Sequence, residues 1–171
     1  MKHRQVYRTE LTPVSFLVRN AYVFPDKTAV VHGARRYTYR ELGERVNRLA
    51  SGLRRAGMRR HERVAFLCPN IPPMLEAHYG VPASGGVLVA INTRLSSDEI
   101  GYILQHSGST FLFVDAELEA LIKPLDLGGM RVVHLALGRG GYAVDDLESG
   151  DEYTDLLLKR FRFARRILEV N

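Results

Sequence analysis

Apolar and polar positions alternate along most of the chain in patterns that predict short helices and short strands in turn. The clearest helix begins at Thr38 and Glu41, which form a T-x-x-E capping box. Apolar residues then recur at spacings of four, three and four, so they share one helix face: Leu42, Val46, Leu49 and Leu53. Gly57 is typical of a helix end. A shorter helix is predicted over residues 17–23.

Two more helices are indicated by residues that favour the first turn. Pro72 and Pro73 suit the start of a helix, where the missing N–H has no cost, and this helix is predicted to run to about Tyr79. Ser96 and Glu99 form a second capping box. The helix that follows this box is predicted to direct three apolar residues inward: Ile100, Ile103 and Leu104.

Continuous apolar runs predict strands that are covered on both faces, as in parallel sheets. Four such runs occupy residues 64–67, 87–91, 110–114 and 131–137, and residues 116–122 are predicted to be helical. Because helices separate the runs, the strands are expected to pair in parallel through right-handed crossovers. Two short β-prone runs around Gly33 predict a hairpin. The predicted fold class is α/β, an open and mostly parallel sheet flanked by helices.

Composition is that of a globular protein, with 46% apolar and 25% charged residues. No apolar run approaches the roughly 20 residues of a membrane span. The basic residues at the start of the chain are not followed by the apolar segment of a secretory signal. A single cysteine, Cys68, excludes an internal disulfide and fits a reducing compartment. The sequence therefore predicts a cytoplasmic protein.

The net charge of +5 is concentrated near the end of the chain. Residues 159–171 contain five basic side chains and one acidic side chain, so the rest of the chain is nearly neutral. Residues 152–170 are a candidate for a final helix. If residues 157–170 are helical, one face is apolar and the other basic, a pattern that favours an anionic membrane or a partner protein. A helix covering exposed core, or an accidental tail, is the alternative interpretation. Aromatic and basic residues do not interleave as in nucleic-acid-binding proteins, so no nucleic-acid partner is predicted.

The ordered series over residues 36–115 resembles the opening of the adenylate-forming acid:CoA ligases. Three stretches carry the resemblance: YTYREL at 37–42, RVAFLCPNIPPMLEAHYGVPASGGVLVAINTRLSSDEIGYIL at 63–104, and the strand at 109–115. The block that begins PNIPP is particularly similar to ligases acting on short- and medium-chain acids. The resemblance implies that this chain is the first subdomain of the large N-terminal domain of such a ligase.

What the family does is implied by the same resemblance. These ligases react a carboxylic acid with ATP to form an acyl adenylate and pyrophosphate, and they then pass the acyl group to CoA. Full-length members use ATP, magnesium and CoA, and they bind the phosphates with a Ser/Thr/Gly-rich loop ending in Pro-Lys-Gly. None of the matching positions falls within residues 1–171, so no catalytic, cofactor-binding or metal-binding residue is assigned to this chain. The chain is expected to be inactive alone.

The resemblance divides the chain into residues 1–157, a partial AMP-binding ligase N-terminal domain, and residues 158–171, a basic amphipathic tail. Family members continue with an acidic stretch that contains proline, whereas this chain reads LKRFRFARRILEVN. The difference suggests a shifted reading frame or a truncated gene. A second hypothesis is a non-catalytic interaction module that pairs with a ligase remainder, forms homo-oligomers through an exposed sheet edge, or docks on an anionic membrane through its tail.

Several local motifs are candidate sites. GRGG at 138–141 lacks the Lys-Ser/Thr ending of a phosphate loop, and ASGG at 83–86 lacks the G-x-S-x-G order, so these predict a surface loop and a turn. Residues 92–94 are interpreted as a loop that orders the next helix, with a ligand contact as the alternative. Cys68 is expected to be a small core residue, with a reactive thiol as the alternative.

Histidines do not suggest a metal site. None of them shows the spacing of metal ligands in sequence: His3, His32, His61, His78, His106 and His134. His78 is predicted to be a buried or partly buried packing residue on its helix.

Overall fold

A computed structural model describes residues 11–138 and 141–145 of the chain. The predicted helix over residues 152–170, the basic tail at 158–171 and His3 lie outside the described residues. The described helices are α1 Pro13–Val23, α2 Tyr39–Arg55, α3 Pro72–Ser84 and α4 Ser97–Ser107, with a 3-10 helix at Ala116–Leu121. The strands are β1 Thr28–His32, β2 Arg35–Thr38, β3 Arg63–Leu67, β4 Val87–Ala90, β5 Ser109–Asp115, β6 Arg131–Gly138 and β7 Gly141–Asp145.

Five of these strands form one sheet in the order β4-β3-β5-β6-β7. The first four are parallel, and β7 is antiparallel to β6. Strands β1 and β2 pair as a separate antiparallel hairpin. The predicted α/β class with an open, mostly parallel sheet is confirmed. The antiparallel strand β7 was not predicted: the segment 138–141, expected to be a plain surface loop, has both of its end glycines in paired strands.

Helices cover both faces of the sheet, so each face has its own apolar core. On one face, α2 and α3 pack against alternate residues of the strands, including Val64, Phe66, Phe111 and Phe113. On the other face, α4 and the residues of the 3-10 helix pack against the intervening residues, including Ala65, Leu67, Leu112 and Val114. This alternation is the period of two that strand geometry imposes. Both faces are apolar because both are covered.

Capping boxes open three of the helices. The predicted boxes at Thr38 with Glu41 and at Ser96 with Glu99 are both present, with side-chain and backbone bonds in each direction. A third box, at Thr12 with Ser15, starts α1 four residues earlier than predicted. It was not predicted because its N3 residue is serine rather than the usual Glu or Gln.

Helix α3 is longer than predicted, since it continues past Tyr79 and through Pro82 to Ser84. A proline removes one backbone hydrogen bond and crowds the preceding turn, which usually ends a helix. Here it falls in the last turn, where Gly85 adopts φ 94° and the N–H of Gly86 closes on the carbonyl of Val81 at 3.0 Å. The left-handed glycine, rather than the proline, therefore sets the end of this helix.

Three arginines bind the carboxyl ends of three helices. Arg54 donates to the carbonyls of the last two residues of α3. Arg63 donates to the last residue of α4 at 2.6 Å and to Gly108 at 3.0 Å, and Arg131 donates to the carbonyl of Ala56 just after α2. Each guanidinium satisfies carbonyls that lack helical partners and places positive charge at the negative end of the helix dipole.

Candidate functional site

The carboxyl edge of the parallel strands is where open α/β sheets place ligands, so it is the candidate site. Register places the end of β3 beside the ends of its two neighbours: Phe66 is opposite Ala90 on β4, and Leu67 is opposite Val114 on β5. Three polar or reactive groups lie near this edge: Cys68 directly follows β3, residues 92–94 begin two residues after the end of β4, and Asp115 is the last residue of β5.

Cys68 is buried at this edge, as predicted. Burial and, to a smaller extent, the negative charge of nearby Asp115 together raise the pKa of its thiol to about 12. A thiol becomes a nucleophile only as the thiolate, which the fold disfavours here. Burial and the raised pKa support the interpretation of Cys68 as a small core residue over the alternative of a reactive thiol.

Thiol labelling tests this burial. Native protein at about pH 8 is expected to resist iodoacetamide, whereas protein unfolded in guanidinium chloride is expected to react at once.

The free energy of unfolding should also fall as pH rises from 9.0, the ordinary pKa of the thiol, to about 12. The unfolded thiol ionises over this range while the folded thiol does not, so the slope approaches about 1.4 kcal/mol per pH unit. Cys68→Ala should lack that slope, and rapid labelling of native protein would contradict the prediction.

Asp115 caps the segment that leaves β5. Its carboxylate accepts a hydrogen bond from the backbone N–H of Glu117 at 3.0 Å, and its side chain is buried. An Asp immediately before the AELEAL run is a recognisable N-cap signal that was not used in the prediction. The carboxylate therefore has a structural role at the start of the 3-10 helix.

Residues 92–94 order the next helix, as interpreted from the sequence. The side-chain oxygen of Asn92 accepts from the N–H of Arg94 at 3.0 Å, and its carbonyl accepts from Leu95 at 3.3 Å. This Asx turn delivers the chain to the capping box of α4. The turn predicted for residues 83–86 is shorter than expected: Ala83 and Ser84 are the last two residues of α3, and only Gly85 and Gly86 link this helix to β4.

The prediction for His78 is wrong, because its side chain is exposed. Leu75 and Pro82, three residues before and four after it, are also exposed, so the three residues share the solvent face of α3. A ring nitrogen of His78 lies 2.8 Å from the carbonyl of Met74 on the preceding turn. The buried histidine is instead His134 on β6.

An ion pair between α2 and α3 was not predicted from the sequence. Arg45 donates two hydrogen bonds to the carboxylate of Glu76, at 2.5 and 3.2 Å, and its guanidinium lies 4.8 Å from the ring centroid of Tyr37. Burial raises the pKa of Glu76 above its ordinary value, and the lowering by Arg45 offsets only part of that effect. The helical pattern placed Arg45 outside the apolar face but could not identify its partner 31 residues away. The pair joins two helices and leaves no free group for chemistry.

Within residues 11–138 and 141–145, no group of three or more His, Cys, Asp or Glu side chains could hold a metal ion. The carboxyl edge offers a buried thiol, a capping carboxylate and an Asx turn, each already used by the fold. Across the same residues, every helix is too short or too polar to cross a lipid bilayer.

Comparison with curated proteins shows similarity to acid:CoA ligases. A peroxisomal acetate/butyrate–CoA ligase of Arabidopsis thaliana is 44% identical over 113 residues, which are 66% of this chain and 20% of that protein. The 4-hydroxybutyrate–CoA ligase 2 of Metallosphaera sedula is 49% identical over 105 residues, 61% of this chain and 19% of that protein. The chain thus spans about a fifth of the length of these relatives.

Solved structures and a family model agree with these relatives. The Mycobacterium tuberculosis fatty acyl CoA synthetase superposes with a TM-score of 0.68 and 28% identity, covering 86% of this chain and 27% of that chain. The model of the AMP-binding enzyme family matches residues 17–155, most of this chain. The expected resemblance to an N-terminal part of an AMP-forming acyl-CoA ligase is confirmed. The chain belongs to the AMP-binding enzyme family.

Proposed function

We propose that the chain is the sheet-forming N-terminal portion of an AMP-forming acid:CoA ligase and that it does not catalyse the reaction alone. One observation carries this proposal. The family model matches most of this chain, whereas the alignments with the two ligases cover only about a fifth of each ligase. The described residues also offer no phosphate loop and no metal cluster.

In the proposed ligase, an acid and ATP form an acyl adenylate and pyrophosphate, and CoA then displaces AMP to form the thioester. Such steps require donors and cations that stabilise charge developing on the phosphates. This chain contributes four parallel strands and the helices that cover them. Its role is to build the rigid sheet beside which those groups are placed.

A short- or medium-chain carboxylic acid is the substrate class that we propose. Support comes from relatives whose names specify acetate, butyrate and 4-hydroxybutyrate. ATP, magnesium and CoA are the proposed co-substrates and metal of the complete enzyme.

The proposed compartment is the cytoplasm, because a single buried free thiol, Cys68, is typical of proteins in a reducing compartment. Some relatives are named as peroxisomal, so imaging of a fluorescent fusion in the native cell would test the compartment.

ATP–pyrophosphate exchange tests the proposal. The purified chain with acetate, butyrate or 4-hydroxybutyrate is expected to show no exchange above the rate without protein, because it lacks groups that stabilise the transferring charge. A fusion protein in which this chain replaces the first fifth of the M. sedula ligase is expected to form acyl-CoA. The control is the same ligase with its first fifth deleted and nothing put in its place. Exchange by the chain alone would contradict the proposal.

A further inference from the structure

Helix α1 carries apolar side chains on more than one of its faces. Its sequence, PVSFLVRNAYV, contains three polar residues, Ser15, Arg19 and Asn20, of which only Arg19 is charged. An apolar face of a helix is normally buried against another part of the protein. In this structure, one stripe of α1 faces α2: Leu17 is only 4% exposed, and a Cβ placed on Gly43 of α2 would lie 3.4 Å from that of Ala21.

Two flanks of the helix carry exposed apolar side chains. Val18 and Tyr22 are 63% and 86% exposed, and their spacing of four places them side by side on one flank. Phe16 and Val23 are exposed on the opposite flank. Of the ten large apolar side chains exposed in the described residues, seven lie within residues 11–31: Leu11, Phe16, Val18, Tyr22, Val23, Phe24 and Val31. Exposed apolar surface is thus concentrated in this part of the chain, and such surface commonly marks an interface.

The hairpin of β1 and β2 is similarly incomplete. Two strands alone are marginally stable in water, and a third strand or a covering layer is normally needed. Here the hairpin and α1 share a small core whose fully buried members are Leu17, Leu42 and Val46. The main cores of the sheet are much larger. Among the described residues, this first segment therefore packs through a small core on one side only.

We propose that the outer flank of α1, centred on Val18 and Tyr22, docks against the portion of an AMP-forming ligase that lies outside this chain. This inference rests on the proposed function. Its occupant is argued from length: the M. tuberculosis structure matches 86% of this chain with only 27% of its own, so a matching fold is there joined to far more protein. The single charge on α1 gives no basis for attraction to an anionic surface, and its 11 residues are too few to span a membrane.

Binding in trans tests the surface. The probe is the M. sedula 4-hydroxybutyrate–CoA ligase 2 without its first fifth, tagged and co-expressed with this chain. Val18→Lys with Tyr22→Lys is expected to weaken binding at least about tenfold, because two apolar anchors become desolvated charges. Tyr102→Lys is the matched control, since Tyr102 is 65% exposed on α4, and it should bind within about twofold of the unmodified chain. Equal binding by the α1 variant would overturn the proposal.

Protection of an engineered thiol gives a second readout that does not depend on stable binding in trans. The native thiol of Cys68 is buried, so in Val18→Cys only the new thiol should react with maleimide. Labelling is expected to be fast in the free chain and at least about tenfold slower when the chain is fused to the same ligase portion. A Tyr102→Cys control should react equally in both.

The outcomes separate this proposal from the function. Unchanged labelling of Val18→Cys in the fusion overturns the docking surface, even if the fusion makes acyl-CoA. If the thiol of Val18→Cys is protected only on lipid vesicles, the proposal is overturned and the surface binds a membrane. If it is protected only at concentrations at which the free chain self-associates, the proposal is overturned and the surface binds a second copy of the chain. Protection in a fusion that makes no acyl-CoA supports docking and contradicts the proposed function.

Discussion

Replacing Glu76 with alanine is expected to lower the free energy of unfolding by about 3–5 kcal/mol. The substitution leaves the guanidinium of Arg45 between α2 and α3, where the two partners' side chains are only 17% and 10% exposed. A charge at that depth loses most of its hydration and, after the substitution, both hydrogen bonds to the carboxylate. Urea denaturation followed by far-UV circular dichroism measures the change.

Two comparisons separate the ion pair from general damage to the helices. Replacing both partners together, as Arg45→Met with Glu76→Leu, should recover most of the loss because no buried charge remains. Arg48→Ala breaks a more exposed pair on the same helix, with Glu44 at 3.3 Å, and should cost less than about 1 kcal/mol. If Glu76→Ala also costs less than about 1 kcal/mol, the pair does not hold the helices together.

Phe66→Ala is expected to cost about 3–5 kcal/mol by opening a cavity in the centre of the sheet. Phe66 is 1% exposed, and its ring stacks on that of Phe113 with centroids 4.4 Å apart and planes at 6°. The substitution removes contacts to the neighbouring strand and to the helices above, while the backbone pairing of β3 remains. The urea midpoint should fall with an unchanged slope.

A phenylalanine outside the main cores provides the control. Phe16→Ala on the exposed part of α1 should change the free energy of unfolding of the free chain by less than about 1 kcal/mol. A cost for Phe66→Ala no larger than that of Phe16→Ala would mean that the sheet relaxes to fill the cavity, contrary to the packing described above.

Most of the architecture could be predicted because its signals are local. Apolar runs identified β3 to β6, and two capping boxes identified the starts of α2 and α4. The end of α3 was predicted wrongly because two local rules competed. Pro82 favours an early end to the helix, but the helix continues through Pro82 and ends at Gly85. Strand β7 was missed because the glycines of 138–141 favour a loop and because its pairing with β6 is a property of the sheet, not of the segment.

Site residues were less predictable because their environments depend on neighbours distant in sequence. Burial of Cys68 followed from its place at the end of an apolar strand, but the added effect of Asp115 on its pKa depends on the pairing of β3 with β5. Pairing of Arg45 with Glu76 depends on how two helices cross. His78 was assigned to the wrong face because α3 was predicted by its first turn and not by a periodic apolar pattern.

The arginines at the helix ends have a consequence for the order in which the chain becomes rigid. Arg131, the first residue of β6, binds a carbonyl that follows α2, 75 residues earlier. At a synthesis rate of about 5–20 residues per second, roughly 4–15 s separate the two groups on the ribosome. Helices α2 and α3 can pair within that interval, but the carbonyl of Ala56 at the carboxyl end of α2 lacks this hydrogen bond until Arg131 of the fourth parallel strand has been synthesised. The last turn of α2 should therefore be among the late parts of the nascent chain to gain protection from hydrogen exchange.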